Sequence, residues 1–314
     1  MKNKTILLTG ASGFLGYHFA KRLLEQGAKV VGIKRKNSSL WRYSDIKSDN
    51  LEFYDIEDLE KAFSDNTPEC VIHTACSYGR NGESLVELMS ANVMFGLEVF
   101  EMALSHKIQT FFNTDTLLGE NINNYALSKK QFSDWLKRNS SSMQIFNMKI
   151  EHMYGLKDDD KKFISWFINQ LKNNVDKIDL TSCEQKRDFV FVDDVVNAYL
   201  AVFENKEKFG KFAKFDVGTG EQIVLKEFLL EIYKQCKAKF NFNTILKFGA
   251  KQMRKNEAME IIENVEPLKN LGWIAQNNYK HNISLIIDYY CGGGGGVILN
   301  ELLALNPKSS KKVA

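Results

Sequence analysis

Short apolar runs alternate with longer amphipathic stretches through the first half of the chain. Residues 5–8 (Thr-Ile-Leu-Leu) predict a short buried strand, and 10–27 predict a glycine-rich turn and a helix ending at Gly27. Further strands are predicted at 28–35, 51–55, 69–76, 108–115 and 143–150. Between them, helical periodicity opens at 58–63, runs through most of 83–107, and returns at 125–138. Strand and helix with short connections predict a parallel sheet covered on both faces. The fold class is therefore α/β, a doubly wound parallel (Rossmann) sheet over residues 1–155.

After Tyr154-Gly155 the rhythm changes. Residues 158–173 predict a surface helix, 186–204 a short strand running into a helix, 211–220 a strand and turn, and 225–237 a helix. Residues 156–290 are thus expected to form mainly a smaller α/β substrate-binding domain, with segments returning to the first. The stretch 291–314 opens on Cys and five glycines, which suit neither a helix nor a strand interior. It is expected to be an appendage. A flexible tail is one reading, and a frame change at a G tract in the gene is another.

Composition narrows the functional classes. A 44% hydrophobic chain of 314 residues can bury a sizeable core. Net charge is only +3, with no Lys/Arg block among aromatics, so nucleic acid is not an expected partner. Cysteines stand at 70, 76, 183, 236 and 291, with no C-x-x-C pair. That pattern suits a reduced, cytoplasmic chain and offers no metal site. The apolar run near the N-terminus is too short for a signal peptide or a membrane span, and no membrane partner is expected.

The turn after the first strand reads Thr9-Gly10-Ala11-Ser12-Gly13-Phe14-Leu15-Gly16. Gly10 permits the tight turn, Gly13 lets backbone approach a pyrophosphate, and Gly16 lets the helix pack on the strand. The helix N-terminus then offers free N–H groups to phosphate. The second strand ends in Lys34-Arg35-Lys36-Asn37-Ser38-Ser39, with Arg42 near, where an NAD site usually carries an acid. Cations and hydroxyls there suit a 2′-phosphate, so NADP(H) is favoured over NAD(H), although ordinary loop cations would read the same way.

T-G-A-S-G-F-L-G at 9–16, V-I-H-T-A at 71–75, Asn92 and Y-x-x-x-K at 125–129 together resemble the extended short-chain dehydrogenase/reductases of the NAD-dependent epimerase/dehydratase type. M-Y-G at 153–155, R-D-F-V-F-V-D-D-V at 187–195, F-D-V-G-T-G at 215–220 and L-G-W at 271–273 resemble that family's later signatures, in order. The resemblance covers residues 4 to about 290 and implies an oxidoreductase acting on nucleotide-activated sugars. It adds Phe14, Leu15, Thr74, Ala75, Cys76 and Asn92 to the cofactor site, and Asp55-Ile56 at the adenine ring.

Tyr125 and Lys129 lie one helical turn apart on one face. The ammonium is expected to lower the phenol's pKa toward working pH. Tyr125 would give a proton to the substrate oxygen, Thr114 would stabilise that oxygen, and Lys129 would also hold the nicotinamide ribose. Dehydratases of the family carry Thr-Asp-Glu where this chain has Thr114-Asp115-Thr116, and a hydroxyl at 116 is a poor base. Dehydration is therefore not expected, and Asp115 and Thr116 are placed at the substrate.

"NTDT" at 113–116, "YALSKKQF" at 125–132 and the "KRKNSSLWR" loop at 34–42 are similar to the group that makes CDP-linked 3,6-dideoxyhexoses, the CDP-abequose and CDP-paratose synthases. These are NADPH-dependent 4-ketoreductases of surface-polysaccharide sugar biosynthesis. A nucleotide-sugar 4-epimerase and a non-catalytic dinucleotide sensor are the alternatives. Arg187 and Arg254 are candidates for the substrate's phosphates, or else surface charges. His152 contacts substrate or is a satisfied core histidine, and His73 packs beneath the cofactor. Lys149 stands where an Arg is common. Asp193 and Asp194 are expected to cap the helix that follows. The apolar helices at 92–105 and 125–138 resemble those that pair in the family's four-helix dimer interface, which implies a homodimer; otherwise they only cover the sheet.

Overall fold

A computed structural model of the chain describes residues 1–254 and 257–292. The chain divides into two compact units. The first comprises Met1–Met153, Gln185–Ile223 and Arg254–Asn277. The second comprises Tyr154–Glu184, Val224–Met253 and the described residues from Asn278. All but the first two residues of the 291–314 stretch lie outside the described residues.

Seven parallel strands build the first unit: β1 (Thr5–Thr9), β2 (Lys29–Lys34), β3 (Leu51–Asp55), β4 (Cys70–His73), β5 (Thr110–Thr116), β6 (Gln144–Ile150) and β7 (Phe212–Val217). Their order is β7-β6-β5-β4-β1-β2-β3. The order reverses between β1 and β4, which makes the crevice outside their carboxyl ends the expected ligand site. Buried Ile6, Leu8, Phe112 and Phe146 face one helical layer, while Leu7, Val71, Phe111 and Ile145 face the other. Successive side chains of a strand point to opposite faces, so a sheet covered twice reads as unbroken apolar runs.

Helices α1 (Phe14–Glu25) and α5 (Val192–Glu204) cover one face, where Phe19 meets Tyr199. The other face is covered by α2 (Leu59–Asn66), α3 (Leu85–Ser105) and α4 (Asn124–Arg138). By length and composition α3 could cross a membrane, with mean hydropathy 1.2. In the structure it packs Val93, Val99, Phe100 and Ala103 into the core under the sheet. Gly96 sits where a Cβ would run into the Phe132 ring of α4, so this glycine sets how closely the two helices approach.

Asp193 and Asp194 do not cap α5. The N-cap position is Phe191, and both acids lie inside the first turn, where they complement the helix dipole. Asp193 Oδ1 lies 3.2 Å from His18 Nδ1, and the Asp194 carbonyl accepts from Trp273 Nε1.

The second unit packs helices Phe163–Lys172, Leu225–Lys239 and Tyr279–Cys291 with a parallel strand pair, Lys177–Asp179 and Ile245–Lys247. Phe228 anchors its core between Tyr154 and Tyr279.

Candidate active site at the carboxyl edge of the sheet

The glycine turn is held from several directions. Gly10 adopts φ +65°, and a Cβ there would lie 2.8 Å from both the Ala75 amide nitrogen and the Thr74 hydroxyl. The Gly13 amide donates to Gly10 O at 2.9 Å. At Gly16 a Cβ would come within 2.8 Å of Ala11 Cα. Thr9, the first residue of the motif, and Tyr43, which no motif announced, complete the clamp. The Tyr43 hydroxyl donates to Ala11 O at 2.6 Å, and the Thr9 hydroxyl accepts from the amides of Thr74 and Ala75. Arg42 donates to Ser12 O at 3.2 Å.

Helix α1 begins at Phe14 behind Gly13, with no capping side chain and no acid in its first turn. A tight glycine turn feeding an uncapped helix N-terminus fits a dinucleotide pyrophosphate.

The cationic loop is less uniform than its sequence. Lys34 Nζ lies 2.6 Å from Asp55 Oδ1, so each neutralises the other. Arg35 and Lys36 are exposed, and Ser38 is half-buried with its amide on Arg35 O. Arg35 and Ser38 are thus better placed for a 2′-phosphate than Lys34. Ile56, next to Asp55, opens a short turn and is half-buried.

Tyr125 stands in the first turn of α4, which Asn123 caps by accepting from the Ala126 amide. Its ring lies 4.9 Å from that of Tyr78, on the loop that also carries the exposed Cys76. The expected depression of its pKa is not found. Burial pushes the phenol well above its usual value, Cys76, Tyr78 and Asp115 add to the rise, and Arg80 opposes it. Spacing had placed Lys129 on the right face but could not reveal these neighbours. Lys129 is 1% exposed, and its charge acts on His73 instead. His73 is fully buried, and burial followed by the Lys129 charge lowers it to about 3, so it stays neutral beneath the turn. Its Nδ1 lies 2.8 Å from the Thr9 hydroxyl.

Asn92 is buried in a π-turn of α3. It accepts from Ser77 N at 2.6 Å and donates to Ser77 O and to the Ser128 hydroxyl. It therefore ties the β4 loop to the helix bearing Tyr125. The Thr114 hydroxyl lies 2.9 Å from the Tyr199 hydroxyl, a partner no motif announced. Burial holds the Tyr199 phenol far above its usual range.

Asp115 is buried and accepts from the Thr116 amide and from Asn147 Nδ2 at 2.7 Å. Asn147 in turn accepts from Asn113 at 2.6 Å. Thr116 Oγ1 accepts from the Leu118 amide. Since the Asp115 charge raises the Tyr125 phenol, Asp115→Asn is expected to shift the alkaline limb of a pH–rate profile to lower pH. A limb that stays in place would remove Asp115 from the phenol's environment.

The candidate phosphate ligands part company. Arg187 is buried, with Nη1 on Lys186 O at 2.6 Å and Nη2 ion-paired to Glu257, so it is no loose surface charge. Arg254 is exposed. Lys149 Nζ lies 3.7 Å from Asp216. His152 follows β6, with its Nδ1 3.1 Å from Glu151 Oε2. Among the described residues, no group of three or more His, Cys, Asp or Glu could hold a metal ion.

A glycine-clamped helix N-terminus at the switch point of a seven-stranded parallel sheet, with half-buried Tyr125 and buried Lys129 one helical turn apart on α4, marks a dinucleotide-dependent enzyme. The chain belongs to the NAD dependent epimerase/dehydratase family, whose profile it matches over residues 6–218. Among individual proteins it is 33% identical to CDP-abequose synthase of Salmonella typhimurium, over 90% of this chain and 97% of that one. It is 25% identical to ADP-L-glycero-D-manno-heptose-6-epimerase of Brachyspira hyodysenteriae, over 75% and 83%. Its fold is that of UDP-glucose 4-epimerase from Thermotoga maritima, at TM-score 0.79 and 21% identity, covering 92% of this chain and 99% of that one.

Proposed function

We propose that this protein is an NADPH-dependent reductase of the 4-keto group of a nucleotide-linked deoxysugar, of the CDP-3,6-dideoxyhexose type, in the cytoplasmic supply of sugars for surface polysaccharide. The observation that carries this reading is the 33% identity to a CDP-abequose synthase across nearly the full length of both chains. The site chemistry agrees. A bound nicotinamide cofactor supplies the hydride. Tyr125, kept protonated by its surroundings, gives its phenolic proton to the carbonyl oxygen and regains one from solvent. When Tyr199, whose phenol burial holds far above its usual range, is the donor in its hydrogen bond with Thr114, the Thr114 proton is left for the same oxygen. Lys129 holds the nicotinamide ribose. Arg187 and Arg254 take the diphosphate. No carboxylate stands at 116 to remove a sugar proton.

The test is a fluorescence titration of the purified protein with NADPH and NADH. NADPH is expected to bind more tightly, and Arg35→Ala to cost about tenfold of that preference, the worth of one charge-assisted phosphate contact. A preference for NADH, or NAD that co-purifies, would replace the reductase with the 4-epimerase reading.

The exposed Leu85, Val86 and Met94 of α3, with Leu127 and Trp135 of α4, suit a second copy of the chain packed helix to helix. Sedimentation of the same samples reads this. A monomer at working concentration would exclude it.

A further inference from the structure

The first unit buries much negative charge behind the end of β6. Asp188 is fully buried, and its carboxylate accepts from the Thr219 hydroxyl at 2.8 Å and the Gly220 amide at 2.7 Å. Glu263 stands beside it. Burial, then a hydrogen bond to Asp188 and repulsion from Asp188 and Glu151, push its carboxyl up to about 8. The rise favours the protonated form of Glu263 beside Asp188. Glu151 is the third acid, with its side chain only 2% exposed.

This carboxylate is half used. Glu151 Oε2 lies 3.1 Å from His152 Nδ1, while Oε1 is buried and has no hydrogen-bond partner among the described residues. A buried acid in an acidic neighbourhood is costly unless it is paired with a donor. The donor here is the imidazole of the next residue. The His152 ring packs edge-on against Phe189, and its main-chain N–H donates to Asp188 O at 3.2 Å. The ring is thus fixed through Nδ1 and through its backbone, while its side chain remains 38% exposed.

His152 also lies in the right place. Ile150 pairs with Thr116 in the β5–β6 register, and the Glu151 amide donates to Val217 O at 3.1 Å. His152 therefore sits just past the carboxyl ends of β5, β6 and β7, two residues beyond the Ile150–Thr116 pair, on the side where open parallel sheets bind ligands.

We propose that Glu151 is a positioning residue: its buried carboxylate fixes His152 through Nδ1, so that Nε2 presents one aligned hydrogen-bonding atom to an uncharged oxygen of the substrate sugar. This rests on the reading of the substrate as a nucleotide-linked sugar. The Glu151 carboxylate paired to the ring disfavours a phosphate at Nε2, and the diphosphate is left to the Arg187 and Arg254 guanidinium groups, so the sugar is the group His152 meets. Without Glu151 the imidazole would sample several rotamers and both tautomers, and each contact would cost more entropy to form.

The test titrates cofactor-saturated protein calorimetrically with CDP and with CDP-glucose, in wild type, Glu151→Gln and His152→Ala. Both variants are expected to bind CDP as the wild type does and CDP-glucose about tenfold more weakly, the worth of one positioned hydrogen bond. Glutamine keeps the shape of Glu151 and relieves its repulsion, so this variant should fold, and His152→Ala probes the same contact independently. Proton–nitrogen NMR of the imidazoles is the second readout. In Glu151→Gln, His152 should pass from Nδ1-protonated to a tautomer mixture, while the other four of the five histidines stay as they are. Equal weakening of CDP and CDP-glucose would overturn the proposal, as would Glu151→Gln behaving as wild type in both readouts. If the wild type binds neither CDP nor CDP-glucose yet binds its cofactor, the substrate reading fails and takes this inference with it.

Discussion

Replacing Tyr125 by Phe is expected to lower turnover by about 10³-fold, within the range of a lost general acid, and to leave cofactor binding largely in place. The ring would still pack against Tyr78, and α4 would keep its Asn123 cap, so the change removes one hydroxyl and little else. Under the proposed reduction, what it removes is the group that delivers a proton to the substrate oxygen. The loss should therefore fall on kcat and not on KM, because the phenol acts in the transition state. Stopped-flow decay of bound NADPH after mixing with a 4-keto sugar nucleotide would read it. A variant within tenfold of wild type would move the proton donor elsewhere, with Thr114 the first suspect. Because the phenol is raised and not lowered, the wild-type enzyme should also hold its reductive activity to high pH.

Gly16→Ala carries the second large effect. Its Cβ would lie 2.8 Å from Ala11 Cα and 2.9 Å from Ala11 O. The Ala11 backbone cannot retreat, since its amide donates to Ile33 O and its carbonyl accepts from Tyr43. Overpacking of this kind costs about 1–3 kcal/mol. The expected result is a lower melting temperature together with cofactor affinity reduced by tenfold or more, about 1.4 kcal/mol. Gly13→Ala separates the two effects. Its Cβ meets only the Gly10 carbonyl, at 3.1 Å, so the fold should survive while the approach to the pyrophosphate closes. Thermal melts and cofactor titration of both variants check this. If Gly16→Ala bound cofactor like wild type, the cradle would not be where the phosphates lie.

The sheet was legible because its strands are buried on both faces and read as unbroken apolar runs. β3 was predicted at Leu51–Asp55 and lies there, while β4 proved shorter at both ends than its apolar run. The last strand was seen as a strand, but its partner was not, because pairing with β6 is a long-range choice that no local pattern encodes. The site divides in the same way. Glycine spacing and the Y-x-x-x-K pair announce themselves, since both depend on neighbours in sequence. Tyr199 behind Thr114, Asn147 behind Asp115, and Glu257 on Arg187 come from distant segments and carry no motif. Two inferences from spacing misled for the same reason. A lysine one turn from Tyr125 said nothing of Cys76 and Asp115, and two acids before an apolar run suggested a cap where the helix had already begun.

The late arrival of β7 has a consequence for the newborn chain. Strands β1 to β6 have all left the ribosome while Phe212–Val217 is still unmade. During that interval β6 is an unpaired edge carrying Phe146 and Met148, and Phe112 and Phe146 await the cover of α5. An apolar strand edge of this kind invites association with other chains. Of the residues 151–211 translated in the interval, Tyr154–Glu184 belongs to the other unit, and none adds a strand to this edge before Phe212–Val217. Slow translation just beyond β6 would prolong the exposure, and rapid passage through to Val217 would shorten it.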